Sequence, residues 1–379
     1  MRLLPILSAF VALSLACGSS EDVSSAAEWT WDLPENVLPP RVPEDNPMTA
    51  EKVELGRFLF YDQRLSGNET QSCGSCHRQE LAFTDGLARS EGSTGEIHPR
   101  SSMMLANVGY AASLTWASDV LERLEQQALI PMFGETPVEL GMAGREDELR
   151  QRLREDERYL EMFAEAFPGE SDPITIGNIT KALGAFQRQL LSFNSKYDRW
   201  NSGDRTALNE SEQRGLALFL GEKLECFHCH GGFLFSQALD HSQNTFDQKA
   251  FMNNGLYNLD EEGSYPPGNE GLYDLTFDVE DKGRFKPPSL RNIEVTAPYM
   301  HDGSIATLEE VIDHYARGGR LIEDGPFAGD GSLNPNKSAF LRGFELTEQE
   351  REDILAFLRT LTDEEFLTNP AYSDPFVDD

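Results

Sequence analysis

The chain has 379 residues, 39% of them hydrophobic, enough for two domains, each with its own core, and too polar for an integral membrane protein. Acidic side chains number 65 against 32 basic ones, a formal net charge of −33. Such a surface repels nucleic-acid phosphates and discourages anionic substrates, so it argues against a nucleic-acid partner and for a soluble, two-domain body.

The N-terminus reads Met1-Arg2-Leu3-Leu4, an apolar run over residues 5–15, then Ala16-Cys17-Gly18-Ser19-Ser20. A positive start, a short apolar stretch and a small-residue cleavage site make residues 1–20 an export signal. The run is far shorter than the roughly 20 residues that span a bilayer. Cys17 stands where a lipoprotein signal places its lipidated cysteine, although Ser14 occupies a position usually held by Leu. A lipid anchor at Cys17 and simple secretion both stay open, and either places the protein in the periplasm. Residues 21–47, rich in Ser, Ala, Pro and acids, read as a tether.

Leu55-Gly56-Arg57-Phe58-Leu59-Phe60 predicts a helix leading into Cys73-x-x-Cys76-His77. Arg214-Gly215-Leu216-Ala217-Leu218-Phe219 repeats it weakly before Cys226-x-x-Cys229-His230. The second helix opens at Asn209, with Glu212 completing a capping box. Between the two motifs, helical periodicity covers residues 119–129, 147–167 and 174–191, and a polar stretch, 192–206, offers a domain boundary. Residues 253–283, full of Gly, Pro, Asn and Asp, predict a long irregular loop that wraps something. Capping boxes at Thr307/Glu310 and Thr347/Glu350 start helices running to about Tyr315 and Leu361. The expected fold is mainly α, with two cytochrome c-like haem domains and long irregular loops: 48–200, 201–365, and an acidic tail over 366–379.

Five cysteines are present, and the four beyond Cys17 all belong to the two Cys-x-x-Cys-His motifs. That spacing lets two thioethers grip a haem while the following His turns its imidazole under the iron. Two matches that use every remaining cysteine of an exported chain point to two covalently bound haem c groups, with His77 and His230 as proximal ligands. Zinc is the competing reading and would need the two pairs to meet. His228, an x position of the second motif, is expected to point away from the iron.

With Phe58-Leu59-Phe60-Tyr61-Asp62-Gln63-Arg64-Leu65-Ser66 upstream and Thr296-Ala297-Pro298-Tyr299-Met300-His301-Asp302-Gly303 downstream, the chain resembles the bacterial di-haem cytochrome c peroxidase and MauG superfamily. Leu114-Thr115-Trp116-Ala117, the segment 128–135 and Glu225-Cys226-Phe227-His228-Cys229-His230 are most similar to its methanobactin-associated, MbnH-like branch. The resemblance implies that the haem on His77 is the peroxide site, with Gln127, Pro131 and Glu139 in its distal pocket. A carboxylate there suits the proton transfer that peroxide heterolysis needs, which makes Glu139 the general acid/base. On the second haem the resemblance implies Tyr315 as distal ligand, where peroxidases of the family carry Met; Met300 and His301 are the alternatives. Trp116 matches the tryptophan between the haems. Calcium, bound in the family partly by an Asn and by backbone carbonyls, maps onto Ser101, Thr296 and Pro298, with Ser in place of Asn. His98 could ligate the first haem in a resting state, with a structural role as its alternative.

Two functions follow from the resemblance. In one, hydrogen peroxide drives the two haems to a shared high-valent state, which oxidises a tryptophan to kynurenine on a copper-binding partner protein. In the other, the chain is a peroxidase reducing hydrogen peroxide with electrons from a small redox protein. A pure electron carrier, the third reading, would have no use for the polar distal pocket of Gln127 and Glu139.

Overall fold

A computed structural model describes residues 29–244 and 249–377. The export signal and Cys17 lie outside them. Helices dominate, and the strands among the described residues are two short antiparallel ribbons, Met252–Asn253 with Arg284–Phe285 and Leu321–Ile322 with Gly329–Asp330. Among the described residues, no helix is long and apolar enough to cross a membrane.

Two hydrophobic cores are built on the same plan. In the first, the helix Ala50–Tyr61 starts at Thr49, whose side chain accepts from the Lys52 amide, and crosses the helix Ile176–Gln189. The crossing is so close that a Cβ on Gly56 would lie 2.0 Å from the Ala182 carbonyl. In the second, the helix Glu210–Phe219 opens with the expected Asn209/Glu212 capping box and crosses Glu348–Arg359. There a Cβ on Gly215 would lie 1.9 Å from the Asp353 carbonyl. The glycine in each copy of the sequence repeat is thus the point where two helix backbones touch, and any side chain there would force them apart. Four residues after each glycine comes a buried phenylalanine. Phe60 packs on Phe186 and Phe83 at 5.2 and 5.9 Å, and Phe219 on Phe357 and Phe235 at 5.2 and 5.7 Å.

Several sequence expectations change in detail. Residues 119–129 do not form one helix: the Leu121 carbonyl accepts from the Leu114 amide at 2.9 Å, and only Leu124–Gln127 and Leu129–Phe133 are helical. The 147–167 stretch is two helices, Glu146–Arg154 and Glu157–Ala166, because Asp156 caps a new start by accepting from the Arg158 amide. The polar stretch 192–206 holds the helix Lys196–Asn201, and its Ser192, Ser195 and Asp198 are buried. Residues 253–283 are mostly irregular but are closed at the base by the first ribbon, with a helical turn at Tyr273–Thr276. In the C-terminal segment, Phe366, Leu367 and Tyr372 pack into the first core.

Candidate active site

Each Cys-x-x-Cys-His motif forms a single turn on the wall of its own cavity. Cys73–Cys76 is one helical turn, capped by reciprocal bonds between Ser72 and Ser75, and the His77 amide returns to the Cys73 carbonyl at 3.0 Å. The second motif is a tighter turn, with the His230 amide on the Cys226 carbonyl at 2.9 Å. Cys73, Cys76 and His77 line a cavity of about 290 Å³; Cys226, Cys229 and His230 line a second of about 370 Å³. The two cysteine pairs therefore do not meet, which removes the four-thiolate zinc site. Burial pushes the thiols up, Cys73 and Cys226 to about 12 and Cys76 and Cys229 to about 11.

The two histidines are held alike. His77 Nδ1 lies 2.7 Å from the Phe83 carbonyl, and His230 Nδ1 lies 3.0 Å from that of Phe235. A carbonyl only accepts, so Nδ1 carries the proton in both rings and Nε2 keeps its lone pair for a metal. Burial pushes both imidazoles below their ordinary value, which keeps them in the neutral, ligating form. Phe83 and Phe235 both take left-handed backbone angles, φ 65° and 53°, and so turn their carbonyls back to the ring. The sequence gives no sign of this role beyond a Phe five or six residues after each His. A neutral imidazole held at Nδ1 beside two buried thiols, repeated on two cavities, fits covalent haem c.

Gln127, Pro131 and Glu139 line the first cavity with His77. Gln127 and Pro131 come from the paired short helices, and Pro131 sits in a first turn, where its missing amide is not needed. The chain then returns, the Leu140 amide bonding the Pro131 carbonyl at 2.9 Å and the Ser93 amide bonding the Glu139 carbonyl at 2.7 Å. Gly92 lets this layer close: its Cβ would lie 1.9 Å from the Val138 carbonyl. Burial raises the Glu139 carboxyl above its ordinary value, with His98 pulling the other way. His98 Nε2 lies 3.8 Å from Glu139 Oε1, in the same cavity.

Tyr315 lines the second cavity with Leu308, Val311 and Ile312, all from the helix Leu308–Arg317. Burial drives its hydroxyl far above the ordinary value, Cys229 adds to this, and a hydrogen bond with Asn254 opposes it. Met300 and His301 line the same cavity. Met300 Sδ already accepts from Asn254 Nδ2 at 3.2 Å, and the His301 ring stacks on Phe285 at 3.6 Å. His228 does not line this cavity; its ring stacks on Phe340 and Phe227, at 4.0 and 4.1 Å.

Trp116 lines both cavities and a third, of about 120 Å³, between them. Its Nε1 donates to the Ser101 carbonyl at 2.8 Å, and its carbonyl accepts from the Lys286 amide at 2.8 Å. Ser101, Thr296 and Pro298 come together on the third cavity, whose lining has no carboxylate and includes Lys286. Calcium would meet only neutral oxygens there. Asn254 and Lys286 escaped sequence reasoning, because neither belongs to a local pattern.

The profile of the di-haem cytochrome c peroxidase family matches residues 50–206. The cytochrome-c peroxidase IdrP1 of Pseudomonas sp. (strain SCT) is 37% identical over 86% of this chain and 84% of its own. The methylamine utilization protein MauG of Methylorubrum extorquens is 34% identical over 92% of this chain and 88% of its own. The crystal structure of a MauG-like protein associated with microbial copper homeostasis superposes with a TM-score of 0.91 at 51% identity, covering 92% of this chain and all of that one. The diheme peroxidase BthA of Burkholderia thailandensis, at 22% identity and a TM-score of 0.66, shares the fold. The chain is therefore an oxidoreductase and belongs to the di-haem cytochrome c peroxidase family, which includes MauG.

Proposed function

We propose that this chain uses hydrogen peroxide to oxidise a tryptophan, to kynurenine, on a copper-binding partner protein in the periplasm. The carrying observation is Tyr315 on the wall of the second cavity, where the family's peroxidases carry Met, with Met300 Sδ engaged by Asn254. Likeness to the copper-homeostasis MauG-like structure supports the partner class. The two cores then correspond to two haem domains, over 48–200 and 201–365, with Phe366, Leu367 and Tyr372 returning to the first core and Ala117 reaching into the second.

Cys73, Cys76 and His77 would hold one haem c, and Cys226, Cys229, His230 and Tyr315 the other. When bound, the pair supplies the oxidising capacity drawn from peroxide. A phenolate oxygen from Tyr315 is a hard anionic donor and favours oxidised iron more than a thioether does. Glu139 would move a proton between the two oxygens of a peroxide held in the first cavity, and burial raises its carboxyl above the ordinary value, which favours its carrying that proton. Gln127 and Pro131 shape the space around peroxide. Trp116, on both cavities and fixed at its Nε1, couples the two sites electronically.

The test mixes haem-loaded protein, peroxide and a small tryptophan-containing copper-binding protein, and reads that protein by mass spectrometry. A mass gain localised to a partner tryptophan is expected. Unchanged partner mass together with rapid peroxide consumption by a reduced small cytochrome would instead establish the peroxidase reading.

A further inference from the structure

Lys286 is only 7% exposed, and its Nζ has one hydrogen-bond acceptor, the Ser113 carbonyl, at 2.5 Å. Among the described residues no carboxylate pairs with it. Burial with nothing negative beside it pushes the ammonium down to about 7. A buried charge without a counter-charge is among the costliest arrangements in a protein interior, so such a lysine calls for an anion. Its side chain lines the second and third cavities. The carboxylates on the second cavity, Glu222 and Glu225, stand beside Cys226 in sequence and have no ion pair with Lys286.

The neighbouring groups point the same way. His301, 3% exposed on the same cavity, has an Nε2 without a hydrogen-bond partner. Its ring stacks on Phe285, and the Arg100 guanidinium lies over that ring, 5.6 Å from the centroid. Arg100 already has its anion in Asp274, at 2.8 Å. Of the cations on the second cavity, Lys223 pairs with Glu350 and Arg342 is exposed, so Lys286 is the buried one without a carboxylate among the described residues; the cavity is expected to receive a group that carries carboxylates, because a c-type haem keeps both propionates.

We propose that Lys286 is the counter-cation of a propionate of the haem on Cys226 and Cys229, with His301, on the wall of the same cavity, as a second donor. The inference rests on the second cavity being a haem site. Pairing a propionate with an ammonium shields the iron from that negative charge and makes the haem easier to reduce.

The experiment uses the full, haem-loaded protein and the variant Lys286→Met. Mass and pyridine-haemochrome content are expected to show two haems still attached. One haem is expected to become at least tenfold harder to reduce, about 59 mV for a one-electron couple, and its propionate bending band in the resonance Raman spectrum to move. Lys286→Arg should restore both readouts, and Lys286→Gln carries the same measurements should the Met variant mature poorly. Native potentials and propionate bands in the Met variant would overturn the proposal, as would an Arg variant displaced as far as Met. A native protein holding one haem would instead overturn the haem reading of the second cavity.

Discussion

Asp198→Asn tests how firmly the second haem turn is held from behind. Arg291 is 2% exposed and grips both oxygens of Asp198, at 2.8 and 2.9 Å, while donating twice to the Phe233 carbonyl, at 2.7 and 3.0 Å. Its guanidinium also lies 4.7 Å from the Phe193 ring centroid. Asn keeps the shape but leaves a buried guanidinium without a counter-charge, which costs about 3–5 kcal/mol. At roughly 2–4 °C per kcal/mol, the melting temperature of the haem-loaded protein should fall by about 10 °C. Glu54→Gln, which loses an exposed pair with Arg57, is the control and should cost under about 1 kcal/mol. Burial alone would raise the Asp198 carboxyl, but the bonds and charge of Arg291 outweigh it, and its value is lowered below the ordinary 3.8. The stabilisation is therefore complete above that ordinary value and lost as pH falls through the lower folded one. The penalty of Asp198→Asn should be constant from pH 5 to 8 and shrink in stronger acid. Equal melting temperatures for the two variants at pH 7 would refute this account of the pair.

Glu139→Gln should slow the peroxide-driven optical change by about a hundredfold or more in stopped flow, with both haems retained by mass. Because burial raises Glu139, with His98 opposing, the acid limb of the native rate profile should lie above the ordinary carboxylate value of 4.5 and vanish in the variant. Tyr315→Phe should abolish the low-spin His/Tyr signal in electron paramagnetic resonance, and Tyr315→Met should raise the potential of that haem and favour peroxide reduction over partner oxidation. Trp116→Phe leaves the Ser101 carbonyl without its donor, a loss of about 1–3 kcal/mol in chemical denaturation if no water replaces it, and should uncouple the optical response of one haem from the other.

The two Cys-x-x-Cys-His turns were legible because each is written in five consecutive residues. Gly56 and Gly215 were visible as a repeat, and the helix crossing at 2.0 and 1.9 Å explains why a residue without a Cβ recurs there. Residues 119–129 misled because their apolar spacing serves a different end: the chain from Thr115 to Ser118 lines the first cavity, and Leu121 is spent on Leu114. The stretch 192–206 looked like a linker because Ser, Asn and Asp favour loops, and nothing local announced that Asp198 would meet Arg291, 93 residues away. Lys286 is invisible for the same reason, since its meaning lies in two cavities that close only in the folded chain.

Both proximal imidazoles lean on main-chain carbonyls, those of Phe83 and Phe235, rather than on acidic side chains. No point substitution can delete such an acceptor, and no carboxylate stands there to draw the imidazole toward imidazolate. On the proposed reading, the electronic push beneath each iron would be set by the fold, and divergence in chemistry would fall to the opposite faces, where Glu139 and Tyr315 are side chains that mutation can exchange one at a time. A scaffold divided in this way would pass between reducing peroxide and oxidising a partner without disturbing its Cys-x-x-Cys-His turns.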